Sequence, residues 1–424
     1  MFRIFPFLLL ILLLLPAYLA PIINGYLAKH LCSCYFVSRR QWREVLLHER
    51  FLWLFRLSKL RKNDVEKWVE VSLFGRHTRR AIYREKLGCA LAGKSEVTPH
   101  PMYLPKVSSS ELKVSDTSLP PSALSPWFRT VGHTYALLVL RQGEIIAEEY
   151  AHGMNAATPL AGWSMAKSVT NALVGLMVGQ QRLKLEDKIP AELLCGKAGE
   201  RAEITMNDLL RMQSGLKWQE RYWWRSDVTE MLFDSEDVTH QISRQALVHE
   251  PGSHWQYASG TTNLISSWLR LLLGQDYHSF PYQALFTPLG MSSALMETDW
   301  QGNFVGSSYM LATARDWARF GQLYLQDGCW QGRRLLPEGW VSYTRTAAEH
   351  ALLGEYGAHF WLNAGKNGKR LLPSVTSDVY FASGFGGQRV IIIPSKEVVI
   401  VRLGSGHFRE PDFDSLLKTL QAYL

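Results

Sequence analysis

From Ile4 to Ala28 no residue is charged, and Ile4–Ile23 is almost wholly apolar. Twenty such residues, rising about 1.5 Å each along a helix, reach across the hydrocarbon core of a bilayer. Leu15-Pro16-Ala17 is a poor match to a small-x-small cleavage site, so residues 1–28 read as a retained transmembrane anchor or signal-anchor. Residues 36–62 read as a basic helix. Trp68–Phe74 alternates, with Val69, Val71 and Leu73 on one side, and Ala81–Arg84 can pair with it across a turn containing Gly75. Pro99, Pro101, Pro105, Pro120, Pro121 and Pro126 then interrupt a serine-rich stretch, a linker or an extended wrap. The pattern divides the chain into an anchor (1–28), a basic N-terminal segment (29–93), a linker (94–127) and a main domain (128–424).

In the main domain, Thr134–Leu140 and Glu144–Tyr150 flank Arg141-Gln142-Gly143, a hairpin signature. Helical periodicity dominates from 164 to about 345. Within it, "TMNDLLRMQSGL" opens with Thr205 and Asp208 spaced as a capping box and closes near Gly215. Strands return at Gln388–Ile393 and Val398–Leu403 around the corner Ser395-Lys396, and Asp412–Leu424 reads as a final helix. Strands at both ends of a helical middle predict an α/β (α+β) fold: one antiparallel sheet completed by distant segments and flanked by helices, with an inserted all-helical subdomain.

Composition is that of a globular chain: 424 residues, 47% hydrophobic and 20% charged. The net charge of +8 is local, since residues 39–86 hold 14 Lys or Arg against 6 Asp or Glu and the remainder sums to zero. A basic block beside an apolar span fits anionic headgroups, while a solvated face explains it equally well. Nucleic acid is the weaker partner, because no recognition motif accompanies the charge. Lys29, Arg39, Arg40 and Arg43 follow the span and only Arg3 precedes it, a bias toward a cytoplasmic C-terminal side. Five cysteines are an odd count, and neither CxxC nor HExxH occurs, so no metal or cofactor is expected. Several tryptophans (Trp163, Trp218, Trp223, Trp224, Trp255) fit core packing or an aromatic-walled cleft.

Candidate chemistry begins at "GWSMAKSVT", where Ser164 and Lys167 stand about one helical turn apart. A serine there is ordinarily a cap. As a nucleophile it needs a base, and lysine serves only when neutral; reaching a pKa near 7 needs about 4 kcal/mol of desolvation or cationic repulsion. Two further stretches supply companions: "EPGSHWQYASGTTNLIS", with Tyr257-Ala258-Ser259 ahead of a helix, and "YFASGFGGQRVIIIP", a Gly-rich strand start.

In this order and spacing the chain resembles the SxxK serine hydrolases, the penicillin-recognising superfamily of class C β-lactamases, DD-peptidases and related esterases. Ser164-Met165-Ala166-Lys167 matches SxxK, Tyr257-Ala258-Ser259 the Tyr-x-Asn/Ser element, and Ala382-Ser383-Gly384 falls at the Lys-Thr-Gly-like motif. "ITMNDLLRMQSGL" and "GSSYMLATARDWARFGQLYLQDG" extend the resemblance over residues 133–420, and "ASGFGGQ" with "SDVTEMLF" is nearest the aminohexanoate-dimer (nylon-oligomer) hydrolases. The resemblance implies a β-lactamase/transpeptidase-like fold and an acyl-enzyme mechanism without cofactor. Ser164 would be the nucleophile, Lys167 its base and Tyr257 the proton relay to the leaving group. The amides of Ser164 and Phe385 would form the oxyanion hole, with Trp163, Tyr222, Ser259, Ser383 and Gly384 lining the substrate pocket. Ala382 departs from the usual cation and Ser259 from the usual Asn, which points from β-lactams toward neutral esters or amides; an arginine in the cation's place would reverse that. The near-GxSxG of Gly162–Ala166 has Ala at its last position, against an α/β-hydrolase. A catalytically silent envelope protein binding cell-wall peptide or lipid is the other alternative. The family's usual setting implies an extracytoplasmic (periplasmic) hydrolase domain, against the charge bias; if exported, Cys32 or Cys34 could bridge to Cys89.

Overall fold

The computed structural model describes residues 5–49, 57–73, 75–94, 104–108, 111–129, 133–195, 199–405 and 410–424, with backbone alone for 5–17, 48, 49 and 76. The N-terminal strands are β1 (Ser58–Asn63), β2 (Trp68–Leu73), β3 (Arg76–Arg84) and β4 (Gly88–Leu91). They pair in that order as an antiparallel meander. The main domain holds a six-stranded antiparallel sheet. Its members are β5 (His133–Arg141), β6 (Glu144–Tyr150), β12 (Trp361–Leu362), β13 (Tyr380–Gly384), β14 (Gln388–Ile393) and β15 (Val398–Ser405), in the order β12-β13-β14-β15-β5-β6. A three-stranded sheet joins β7 (Leu160–Ala161), β9 (Met310–Ala312) and β8 (Leu295–Met296), and a small hairpin pairs β10 (Cys329–Trp330) with β11 (Arg333–Arg334).

The main strands are continuous apolar runs, and the two-residue period of a strand sends their side chains alternately to two faces. Leu138, Leu140, Val390, Ile392, Val399 and Val401 face one core, and Leu137, Val139, Ile391, Ile393, Val398 and Ile400 face the other. Helix Ala314–Leu325 covers the first face. Gly321 allows its close approach, since a Cβ there would lie 2.5 Å from Val399 Cγ1. Helices Pro121–Phe128 and Phe413–Gln421 close the second face, where the rings of Trp127 and Phe413 meet at 6.2 Å. The β5–β6 turn uses Gln142 and Gly143, both with positive φ (52° and 82°), as a two-residue hairpin corner requires. Asp412 caps the last helix by accepting from Ser415 N. Thr205 and Asp208 form the expected capping box, but the helix ends at Leu210, because Met212 turns into the left-handed region (φ 59°).

Two expectations about the N-terminus change. Helix Phe5–Cys32 exists, but among the described residues no helix is long and apolar enough to cross a membrane. That finding overturns the membrane localisation through a single span over residues 1–28, and membrane contact through this helix is not supported. Residues 1–4 and the side chains of 5–17 lie outside the description. From Ala20 onward the helix is an internal packing element. Leu27, Ala28, Leu31 and Cys32 pack on Val69, Val71, Ala81 and Cys89 of the four-stranded sheet, each buried aliphatic chain contributing about 1.5–3 kcal/mol. Gly25 abuts the backbone of Phe233, where a Cβ would lie 1.7 Å from the carbonyl oxygen. Buried Lys29 donates to buried Glu297 at 2.5 Å, and Cys32 is joined to Cys89. The basic block is partly neutralised within the protein: Arg80 pairs with Glu70 at 2.7 Å and Arg79 with Asp234 at 3.4 Å.

The second change is local. Within the 36–62 range expected as a basic helix, Trp42–Glu49 is helical and a helical turn ends at Val37, but Ser58–Asn63 is strand β1, zipped onto β2 from Ser58↔Leu73 to Asn63↔Trp68. Residues 50–56 lie outside the description. In "SKLRKN" a helix would stack Lys59 against Lys62, whereas the strand sets Arg61 across from Glu70.

Candidate active site

Strand β7 leads into a single 3-10 turn, Trp163–Met165, and then into helix Ala166–Gly179. Ser164 sits in that turn and caps neither element. Trp163, immediately before it, has φ 48°, a conformation that costs a bulky residue of order 1–3 kcal/mol. Rings on several sides hold it there. His30 stacks at 5.5 Å and Tyr26 at 6.1 Å, both from the N-terminal helix, and Phe385 and Tyr309 meet it edge-on at 5.8 and 6.3 Å.

Lys167 is 1% exposed. Its Nζ donates to Ser259 Oγ at 3.0 Å and to the carbonyl of Ser307 at 3.0 Å, and lies 3.2 Å from Ser164 Oγ. Burial lowers its pKa from 10.5 to about 8, against an opposing pull from the Glu220 charge. Tyr257 lies over the pair, with Lys167 Nζ 4.8 Å from its ring centroid, and its hydroxyl hydrogen-bonds with Ser164. Burial, then the charge of Glu220, push the Tyr257 pKa well above its ordinary value despite that bond. The phenol is therefore neutral, able to hand on a proton but not to serve as a resting base. Trp361 and Tyr356 fix its ring at 5.6 and 5.8 Å.

The third motif lies on β13, with Ala382 facing the core and Ser383 directly across from Arg389 of β14. Gly384 meets the loop ahead of Ser164 so closely that a Cβ would lie 2.0 Å from the carbonyl oxygen of Gly162. Phe385 follows, its ring 5.7 Å from that of Tyr222. Gly386 and Gly387 (φ 77° and 78°) turn the chain, and buried Arg402 donates to both their carbonyls at 2.9 Å. The structure thus brings Ser164, Lys167, Tyr257 and Ser259 into one contact network with Trp163, Tyr222, Gly384 and Phe385 around it, while Ser383 lines the cleft beside Arg389.

Two residues were not foreseen. Glu220 accepts from Trp218 Nε1 at 2.5 Å, Tyr222 OH at 2.7 Å, Ser259 N at 2.9 Å and Ser259 Oγ at 2.5 Å. The one hint in the sequence is an acid set among the aromatics of "KWQERYWW". The second is Arg389, which stands across from Ser383 of the third motif. It donates to Glu410 Oε2 at 2.6 Å and to the Gln388 carbonyl, so its charge is already matched. A cleft of about 390 Å³ opens there, walled by Trp361, Phe381, Ser383, Arg389 and Phe413. His359, buried beneath Lys167, has its pKa lowered to about 3 by burial and then by the lysine's charge, and is neutral.

An antiparallel sheet with a helical insert, carrying serine, desolvated lysine and tyrosine where they meet, has the architecture of the β-lactamase/transpeptidase-like serine hydrolases. The chain belongs to the beta-lactamase family, whose match covers residues 129–422. It is 24% identical over 310 residues to the 6-aminohexanoate-dimer hydrolase of Paenarthrobacter ureafaciens, covering 66% of this chain and 74% of that one. A Bacillus anthracis protein assigned as a 6-aminohexanoate-dimer hydrolase shares the fold with a TM-score of 0.58 at 21% identity, covering 76% of this chain and 87% of its own. EstCE1, a hydrolase with promiscuous acyltransferase activity, superposes with a TM-score of 0.55 at 15% identity, covering 71% and 95%.

Proposed function

We propose that the protein hydrolyses a small ester or amide through an acyl-enzyme on Ser164. The observation that carries the reading is Lys167: fully buried, with its pKa lowered to about 8, and 3.2 Å from the Ser164 hydroxyl. Neutral Lys167 takes the Ser164 proton as Oγ attacks the substrate carbonyl. The amides of Ser164 and Phe385 receive the developing oxyanion, and donors of this kind are worth about 3–4 kcal/mol each. Tyr257, hydrogen-bonded with Ser164, passes the proton to the departing alcohol or amine. Water then enters by the reverse relay and releases the acid. Residues 128–424 form the hydrolase domain, and the N-terminal unit props Trp163 from behind.

The preferred substrate is neutral with an apolar acyl part. Ala382 offers no charge and Arg389 is already paired with Glu410, so a substrate carboxylate would have to displace an internal one. The hydrolase from Paenarthrobacter ureafaciens acts, by its name, on a dimer of 6-aminohexanoate, and this similarity supports keeping amides beside esters as candidates. Turnover of p-nitrophenyl esters, linear amides and nitrocefin, measured side by side, tests this. Nitrocefin turnover equal to that of short-chain esters contradicts the substrate reading.

A further inference from the structure

Glu220 makes no covalent contribution to the steps above, yet its hydrogen bonds fix where their protons lie. A carboxylate only accepts. Trp218 Nε1 and Ser259 N meet Oε2, and Tyr222 OH and Ser259 Oγ meet Oε1, all four as donors. The Ser259 hydrogen is thereby committed to Glu220, and toward Lys167 that hydroxyl shows only lone pairs. The Ser307 carbonyl can only accept as well. A neutral lysine amine has two hydrogens and one lone pair. With Ser259 Oγ and Ser307 O, both at 3.0 Å, taking the hydrogens, the lone pair is left for Ser164 Oγ at 3.2 Å.

We propose that Glu220 is a positioning residue that sets this proton order, so that Lys167, when neutral, aims its lone pair at Ser164. The inference rests on the reading of Lys167 as the base. In the forward step the Ser164 O–H bond breaks, its proton joins that lone pair, and the resulting ammonium keeps its other hydrogens on Ser259 and Ser307. Without the carboxylate the Ser259 hydroxyl is released to rotate and donate to Lys167, and the base is occupied before Ser164 can use it.

The test is a cycle of Glu220→Gln, Ser259→Ala and the double variant. In Glu220→Gln the amide oxygen must face the two fixed N–H donors, Trp218 Nε1 and Ser259 N. The amide nitrogen then faces the hydroxyls and turns the Ser259 hydrogen toward Lys167. The expected result is a fall in kcat of about a hundredfold, within the range of a lost general base, with KM changed less than about threefold. The acid limb of kcat/KM should also move to lower pH, because a negative charge that favours the ammonium has been removed. In the double variant the obstructing hydroxyl is gone, and kcat should recover to that of Ser259→Ala alone, about tenfold below wild type. A double variant no faster than Glu220→Gln, or a Glu220→Gln limb that stays in place, overturns the proposal. Should Glu220→Gln fail to fold, Ser259→Ala decides alone: a loss as large as that of Lys167→Ala would make Ser259 itself the proton acceptor and reverse the order. A wild-type profile flat through pH 8 removes Lys167 as the base, a failure distinct from an unmoved limb in Glu220→Gln.

Discussion

Glu297→Ala probes the joint between the N-terminal helix and the hydrolase domain. Both side chains of the Lys29–Glu297 pair are almost fully buried (4% and 2% exposed). Glu297 also accepts from Ser33 Oγ at 2.9 Å and from the Cys89 amide at 2.7 Å, and Lys29 sits 3.9 Å above the Tyr309 ring. Removing one member of a buried pair leaves the other desolvated and unmatched, a loss of about 3–5 kcal/mol. The Cys89 amide left without its acceptor adds about 1–3 kcal/mol. Relaxation and water entry offset part of this, so about 4 kcal/mol is expected in equilibrium urea denaturation. The same change should reach the site, since His30, one residue beyond Lys29, stacks on Trp163 just ahead of Ser164. kcat/KM should therefore fall under conditions where the variant is still folded. Replacing both partners, with Lys29→Met and Glu297→Gln, removes the unmatched charge and should restore most of the stability. A Glu297→Ala loss below about 1 kcal/mol, or a double variant less stable than the single, would refute the clamp.

Other expectations follow from the same geometry. As the proposed base, Lys167 would act only when neutral, so kcat/KM should rise about tenfold per pH unit below 8 and level off above it; a maximum near pH 5 contradicts this. Gly384→Ala drives a Cβ to 2.0 Å from the Gly162 carbonyl and parts β13 from the Ser164 turn. Its kcat should drop about 10²–10³-fold, as for a lost oxyanion donor, with a smaller effect on KM. Removing the Cys32–Cys89 bridge by Cys89→Ser opens a closure 57 residues apart in sequence and should cost about 4 kcal/mol, read by denaturation with and without reductant.

What was legible in the sequence was what local spacing controls. The runs on either side of Arg141–Glu144 and Ser395-Lys396 are short, apolar and punctuated by turn residues, and they form β5, β6, β14 and β15. Ser164 and Lys167 are close because one turn separates them. Tyr257 and Gly384 reach them through the fold, and only the resemblance linked those distant motifs. The N-terminal helix was misread because a run apolar on every side suits a bilayer or a protein core equally. What distinguishes them here is Asn24 and Lys29, buried against partners remote in sequence. Ser58–Asn63 was misread because its charges concealed a strand whose pairing with β2 supplies the structure. Glu220 stayed hidden since nothing in its spacing relates it to Lys167; Ser259, across the fold, makes the connection.

Ser164 is the residue proposed to carry the acyl group. Mass spectrometry after incubation with a slow ester or a fluorophosphonate should place the added mass on the peptide containing Ser164, and Ser164→Ala should show neither adduct nor turnover while remaining folded. An adduct on another serine, or full activity in Ser164→Ala, contradicts it.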